Sequence, residues 1–182
     1  MAALTRRAAL TAAAGLSAGC TTAPPREDAG AETSSEQERN IAVIRAATDD
    51  WNRGDIPAYV AKHSSDFSNF GRVIERERLE VLVRDIFTTF PDIRFAIEDV
   101  VASRDQVVTR STFSGTHRGI GRLPLNGGML VDVHPTGRSF SVQHMHWYTL
   151  REGLIAAHTA CRDDLGMMVQ LGLLTRPTAQ TR

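Results

Sequence analysis

The sequence predicts an α+β domain: a curved antiparallel sheet wrapped by N-terminal helices into a cone. Three observations carry this. Helical periodicity fills the first half of the folding region and apolar alternation fills the second. The strand–helix–strand alternation of a parallel nucleotide-binding sheet is absent.

Ile41, Ile44, Ala47 and Trp51 recur at helical spacing from about Gln37, and Gly54 stops that helix. Residues 56–63 read as a second short helix with Tyr59 and Val60 inward, and 66–72 as loop. Residues 75–87 read as a third helix, with Leu79, Leu82, Val83 and Ile86 on one face and Pro91 beyond its end. Strands are expected over 94–102, 106–117, 139–150 and 154–162, the last two joined by a hairpin at Arg151-Glu152-Gly153. The Gly- and Pro-rich stretch 118–135 reads as loop. A closing helix over 165–174 follows Asp163-Asp164 and stops near Pro177.

The first 19 residues have the layout of an export signal. Arg6-Arg7 precedes an uncharged run, Ala8 to Ala18, too short to span a bilayer, which takes ~20 residues. Thr5-Arg6-Arg7-Ala8-Ala9-Leu10 is similar to a twin-arginine signal, and Leu16-Ser17-Ala18-Gly19-Cys20 to a lipobox. The expectation is a signal peptide over 1–19, lipidation on Cys20, a flexible tether over 20–36, a domain over 37–176 and a tail over 177–182. The protein would then be exported and held at the cell envelope by a lipid anchor.

Charge is balanced, with 21 Lys+Arg against 21 Asp+Glu, and removal of the signal would leave a slight acidic excess. That excludes nucleic acid as the main partner, since phosphate binding needs clustered basic residues. With Cys20 assigned to the signal, Cys161 has no partner for an internal disulfide. No G-x-S-x-G elbow or strand-to-helix phosphate loop is present.

Several strings then fall in one order: Asn52-Arg53-Gly54-Asp55, Phe90-Pro91-Asp92-Ile93-Arg94, Asp105 to Arg110, Gly115-Thr116-His117-Arg118-Gly119, Pro135-Thr136-Gly137-Arg138, and Asp163-Asp164-Leu165-Gly166 through Gln170-Leu171-Gly172. Over about residues 38–174 the chain resembles the SnoaL-like polyketide cyclases, or ester cyclases, of the nuclear transport factor 2-like superfamily with its cystatin-like cone. The resemblance implies intramolecular aldol chemistry on a polyketide ester, with no metal and no cofactor. It also implies an acid/base aspartate at the end of the last long strand, a position Asp163 matches. The sequence departs from the pattern at Thr159, where the family commonly has Trp, at Asn69-Phe70, where a His is common, and in the longer segment from Gly121 to His134.

Candidate site residues follow. Asp163 reads either as the N-cap of the last helix or as an inward carboxylate, raised in pKa by an apolar cone and able to shuttle a proton. His144 and His146 share a strand face with Tyr148, as substrate-binding or catalytic groups or as sheet histidines. With His158 or Asp163 they could hold a metal, but the expectation is none. Trp147 alternates onto the opposite face, and lines the pocket only if the register shifts by one. Thr159 and Cys161 are candidate ligand contacts and His117 a rim contact, while Arg110 is expected to pair with a carboxylate. Two functions compete: cofactor-free acid/base chemistry on a hydrophobic carbonyl compound, and a binding module for a small apolar molecule or a partner. A homodimer through the outer sheet face is a third expectation.

Overall fold

The computed structural model describes residues 27–124 and 129–175. The signal peptide, Cys20 and the tail assigned to 177–182 lie outside them. Helix α1 (Glu27–Arg53) leads into α2 (Ile56–Ala61), strands β1 (His63–Asn69) and β2 (Arg72–Val73), and α3 (Arg76–Thr89). Strands β3 (Arg94–Ser103), β4 (Gln106–Thr116), β5 (Ser139–Arg151) and β6 (Leu154–Arg162) follow, then α4 (Asp164–Gln170). The six strands form one curved, unclosed sheet in the order β2-β1-β6-β5-β4-β3. This is the expected α+β architecture, with helices covering the concave face.

Alternation is strict along β5. Phe140, Val142, His144 and His146 are buried, and Ser141, Gln143, Met145 and Trp147 are exposed between them. Irregularities between Ile97 and Asp99 in β3 and between Thr149 and Leu150 in β5 break the ladders, as bulges do where a sheet bends. Two hydrogen bonds fasten α1 to β3: Asn52 Nδ2 donates to Phe95 O at 2.7 Å, and Phe95 N donates to Asn52 Oδ1 at 2.9 Å. Gly54, at φ +71, ends α1, and Asp55 caps α2 by accepting from Ala58 N. The core joins Ile44, Trp51, Val60, Phe67, Val83, Phe90, Ile93, Phe113, Ile155 and Met167.

Three local expectations change. Within the stretch 20–36 assigned to a tether, the chain is helical from Glu27. Residues 63–69 form a strand rather than a helix end and a loop. Their polar string lacks the β-branched residues that mark strands, and the ladder to β6 supplies what propensity does not. That ladder is parallel, so the sheet is antiparallel except for this one pair. Of the predicted 118–135 loop, residues 118–123 are pinned to α3. Arg118 N and Gly119 N both donate to Thr89 O, and Asp85 accepts from Arg122 N and Leu123 N.

The Gly119 contact leaves no room for a side chain, since a Cβ there would lie 1.9 Å from Thr88 O. Gly119→Ala is therefore expected to lower stability by about 2 kcal/mol in denaturant unfolding, as overpacking against fixed backbone does. An unchanged midpoint would show that the loop yields freely.

Candidate functional site

Between the concave face and helices α1, α2 and α3 lies a cavity of about 1010 Å³, at the upper end of small-molecule sites. Its wall is largely apolar and aromatic, including Ile44, Trp51, Leu79, Val83, Phe95 and Phe113. Strand alternation places the polar groups. From β5, His144, His146 and Tyr148 face inward; from β4, Thr109 and Ser111; from β6, His158 and Arg162; from β1, His63 and Asn69. Arg72, Glu75 and Arg78, all exposed, and the half-buried Asp85 complete the charged part of the lining.

The histidines are held in different ways. His146 Nδ1 lies 2.9 Å from His158 Nε2, and His158 Nδ1 lies 2.9 Å from Asn69 Oδ1. The ring of His146 stacks on His158 at 5.2 Å and meets Phe95 edge-on at 5.1 Å. His144 stacks on Phe113 at 4.6 Å, and neither of its nitrogens has a protein partner. His146 Nε2 and Trp51 Nε1 are also buried without one. His63 Nδ1 donates to Tyr59 O at 3.0 Å. At the mouth, Phe70 holds a positive φ of +51 and sets its ring edge toward His158 at 5.7 Å, while the Arg162 guanidinium lies 5.4 Å over that ring.

Burial keeps these imidazoles neutral. Desolvation lowers His63 and His144 to about 4 and His158 to about 3, and pushes His146 well below its ordinary value; Arg76 adds to the effect at His63, Arg162 at the other three, and neighbouring histidines at His146 and His158. Burial also pushes the Tyr59 and Tyr148 phenols up, so both remain hydroxyl donors. The wall is thus uncharged in its depth: a greasy funnel with neutral donors and lone pairs. Among the described residues, no group of three His, Cys, Asp or Glu side chains is arranged to hold a metal ion.

The profile of the SnoaL-like polyketide cyclase family matches residues 41–171. The chain belongs to this family. TsrD from Streptomyces laurentii is similar at 26% identity and a TM-score of 0.63, over 76% of this chain and 98% of that one. IdmH of Streptomyces antibioticus, provisionally named a polyketide cyclase, is 25% identical with a TM-score of 0.59, over 73% and 98%. A SnoaL-like polyketide cyclase from Agrobacterium tumefaciens shares the fold at 18% identity and a TM-score of 0.60, over 73% and 98%. No curated protein sequence matches the chain.

At five candidate residues of this family member the structure decides against a place in the pocket. Asp163 is exposed and outside the cavity; its Oδ1 accepts from Gly166 N at 2.7 Å, capping α4. Of its two sequence readings the N-cap holds and the inward carboxylate does not, because the chain leaves β6 at Arg162 and the next residue must satisfy a helix start. Asp164 is half-buried and pairs with Arg162 at 3.2 Å. Trp147, Thr159 and Cys161 face outward: Trp147 opposes Thr159 and Met145 opposes Cys161 on the convex side, as unshifted alternation requires. His117 is fully buried against Phe90 at 5.5 Å, where its Nδ1 accepts from Thr136 N at 3.3 Å, and it does not line the cavity. Arg110 pairs with Glu98 on the convex face.

His144, His146 and Tyr148 lie on the cavity wall. Sequence reasoning did not assign Trp51, His63 or Phe95 to the site, and met Asn69 only as a departure from the family pattern. It reached His158 only as a metal ligand, although the alternation that places Arg162 inward places His158 there too.

Acid should destabilise this arrangement. An unfolded imidazole takes a proton near 6.5, whereas folded His63 and His144 do so only near 4. Between those values the unfolded chain holds more protons, so the stability present at pH 7 is lost as pH falls through this window. Melting temperature is expected to drop between pH 7 and 4, and His144→Phe, which keeps the stack on Phe113, should flatten the slope. A slope identical to wild type would place the acid sensitivity elsewhere.

Proposed function

We propose that this protein binds a hydrophobic carbonyl compound in its cavity and performs cofactor-free acid/base chemistry on it, aldol cyclisation or isomerisation, with His146 as the base. One observation carries the reading: the Nε2 of a neutral, buried imidazole lines the cavity without a protein partner. Family membership supports a cyclase-type reaction. In the cyclisation, His146 Nε2 takes a proton from carbon alpha to a carbonyl. The enolate carbon bonds to a second carbonyl of the same molecule, and the resulting alkoxide takes the proton back. The Trp51 N–H and the two phenols are donors suited to the oxygen that gains charge. A base weakened by burial suits carbon acids flanked by two carbonyls rather than one.

His146→Gln is expected to lower kcat at least 100-fold on a substrate of this class, with the fold intact by circular dichroism. Asp163→Ala should leave kcat within twofold and remove about 1 kcal/mol of stability with the helix cap. Full activity in the first variant, or its loss in the second, would return the acid/base role to Asp163.

A second reading, a binding module without turnover, is favoured by the position of Asp163 outside the cavity. Ligand binding that survives His146→Gln, with no product formed by wild type, would establish it. A homodimer through the convex face rests on exposed Val101, Met145 and Trp147, and solution size measures it.

We also propose export and lipidation at Cys20, resting on the signal-like segment and its lipobox-like end. Cys20→Ser is expected to move the protein from the membrane fraction to the soluble one. Among the described residues no helix is long and apolar enough to cross a membrane.

A further inference from the structure

Three polar side chains from three adjacent strands form a string along the cavity wall. Asn69 on β1 lies directly across from His158 on β6, and His158 reaches diagonally to His146 on β5. Each of the two contacts needs one hydrogen, and each neutral imidazole has only one. A carbonyl oxygen cannot donate, so the hydrogen facing Asn69 Oδ1 belongs to His158 Nδ1. His158 Nε2 is then a bare lone pair and can only accept. The hydrogen between the rings therefore belongs to His146 Nδ1, and His146 Nε2 carries none. That atom is buried and unpartnered within the protein, and its residue, 6% exposed, lines the cavity.

We infer that Asn69 and His158 are positioning residues that fix the tautomer of His146, so that it presents a lone pair to the cavity rather than an N–H. The inference rests on the proposed role of His146 and names the residues that make that role attainable. A histidine in water prefers its hydrogen on Nε2, the form in which this ring would be a donor and no base. The tautomer of a buried imidazole is set by what its other nitrogen meets. Here that partner is a second imidazole, itself set by an amide. When Nε2 takes a proton, Nδ1–H still points at the His158 lone pair. The new cation gains a charge-assisted hydrogen bond with no carboxylate bonded to either ring, and no proton has to leave the string. The other polar groups near the two rings, His63, His144, Tyr148 and Arg162, make no hydrogen bond to either ring. Reversing the Asn69 amide would reverse the string: its NH₂ would donate to His158 Nδ1, His158 Nε2–H to His146 Nδ1, and His146 would show an N–H to the cavity.

The two arrangements differ in a measurable signature. Multiple-bond ¹H–¹⁵N correlation spectra of the full-length ¹⁵N-labelled protein at neutral pH report which nitrogen of each ring is protonated, with His146 assigned by its disappearance in His146→Gln. The expected result is His146 and His158 both in the Nδ1–H form. Asn69→Leu, which removes the acceptor, is expected to release His146 to the Nε2–H form. Asn69→Asp, which keeps an acceptor, should retain the Nδ1–H form, and decides the matter together with wild type if the leucine variant does not fold. His146 in the Nε2–H form in wild type, or a tautomer indifferent to Asn69→Leu, would overturn the inference. Loss of turnover in His146→Gln alongside an Nε2–H wild type would keep the catalytic reading and remove this one. Full turnover in His146→Gln alongside the Nδ1–H form would do the reverse.

Discussion

The parallel pairing of β1 with β6 is the constraint on which the site depends. Parallel neighbours cannot be joined by a tight turn, so the chain builds α3 and strands β3 to β5 before β6 returns to lie beside β1. The register of that late contact, Ser68 against Ala157 and Asn69 against His158, brings an amide to an imidazole 89 positions away. Without it, β6 would be the edge of the sheet, the cavity would lack one wall, and His158 would face no acceptor. The polar composition of β1 follows from the same role. A strand that contributes Phe67 to the core and Asn69 to the site has few positions left for the residues that mark strands.

Lining a large cavity with imidazoles opposes the packing that holds the rest of the domain together. Close packing gains dispersion energy from every contact, and a hollow of this size forgoes much of it on one side of α1 and α3. The aromatic shell offsets part of that loss. Trp51 meets Tyr59, Phe87 and Phe95 at 5.1–5.5 Å, and Phe113 stacks on Phe95 at 4.5 Å. These rigid rings hold the wall open while keeping the helices seated on the sheet. The histidines are admitted on one condition: burial keeps them uncharged, so the cost is that of polar rings and not of ions.

The fold was legible because its signals are periodic. Ile41, Ile44, Ala47 and Trp51 announce α1, and the alternation from Phe140 to Tyr148 announces β5 and, with it, which histidines face inward. The site was legible only where a residue stands on such an element. Asp163 stands just past one, and the carboxylate a family resemblance would send inward is claimed by the helix it begins. Asn69 is invisible to periodicity because β1 alternates too weakly to reveal a face, and because its partner depends on a contact between strands far apart in sequence. Trp147, Thr159 and Cys161 show the converse. Simple alternation already placed Trp147 outside, its assignment to the pocket needed a shift of register that the ladder does not make, and Thr159 and Cys161 share its convex face.

The ends of the sheet have a consequence for how these molecules behave in a crowd. One border is β2, only two residues long, and it begins with Arg72. The other is β3, interrupted near Asp99 and carrying Arg94 and Glu98 on its surface. A foreign strand seeking free amides finds a stub at one margin and a kinked, charged ribbon at the other. Neither offers the long flat template on which chains stack into fibrils. The protein can therefore keep an incompletely filled interior without exposing a border that invites polymerisation.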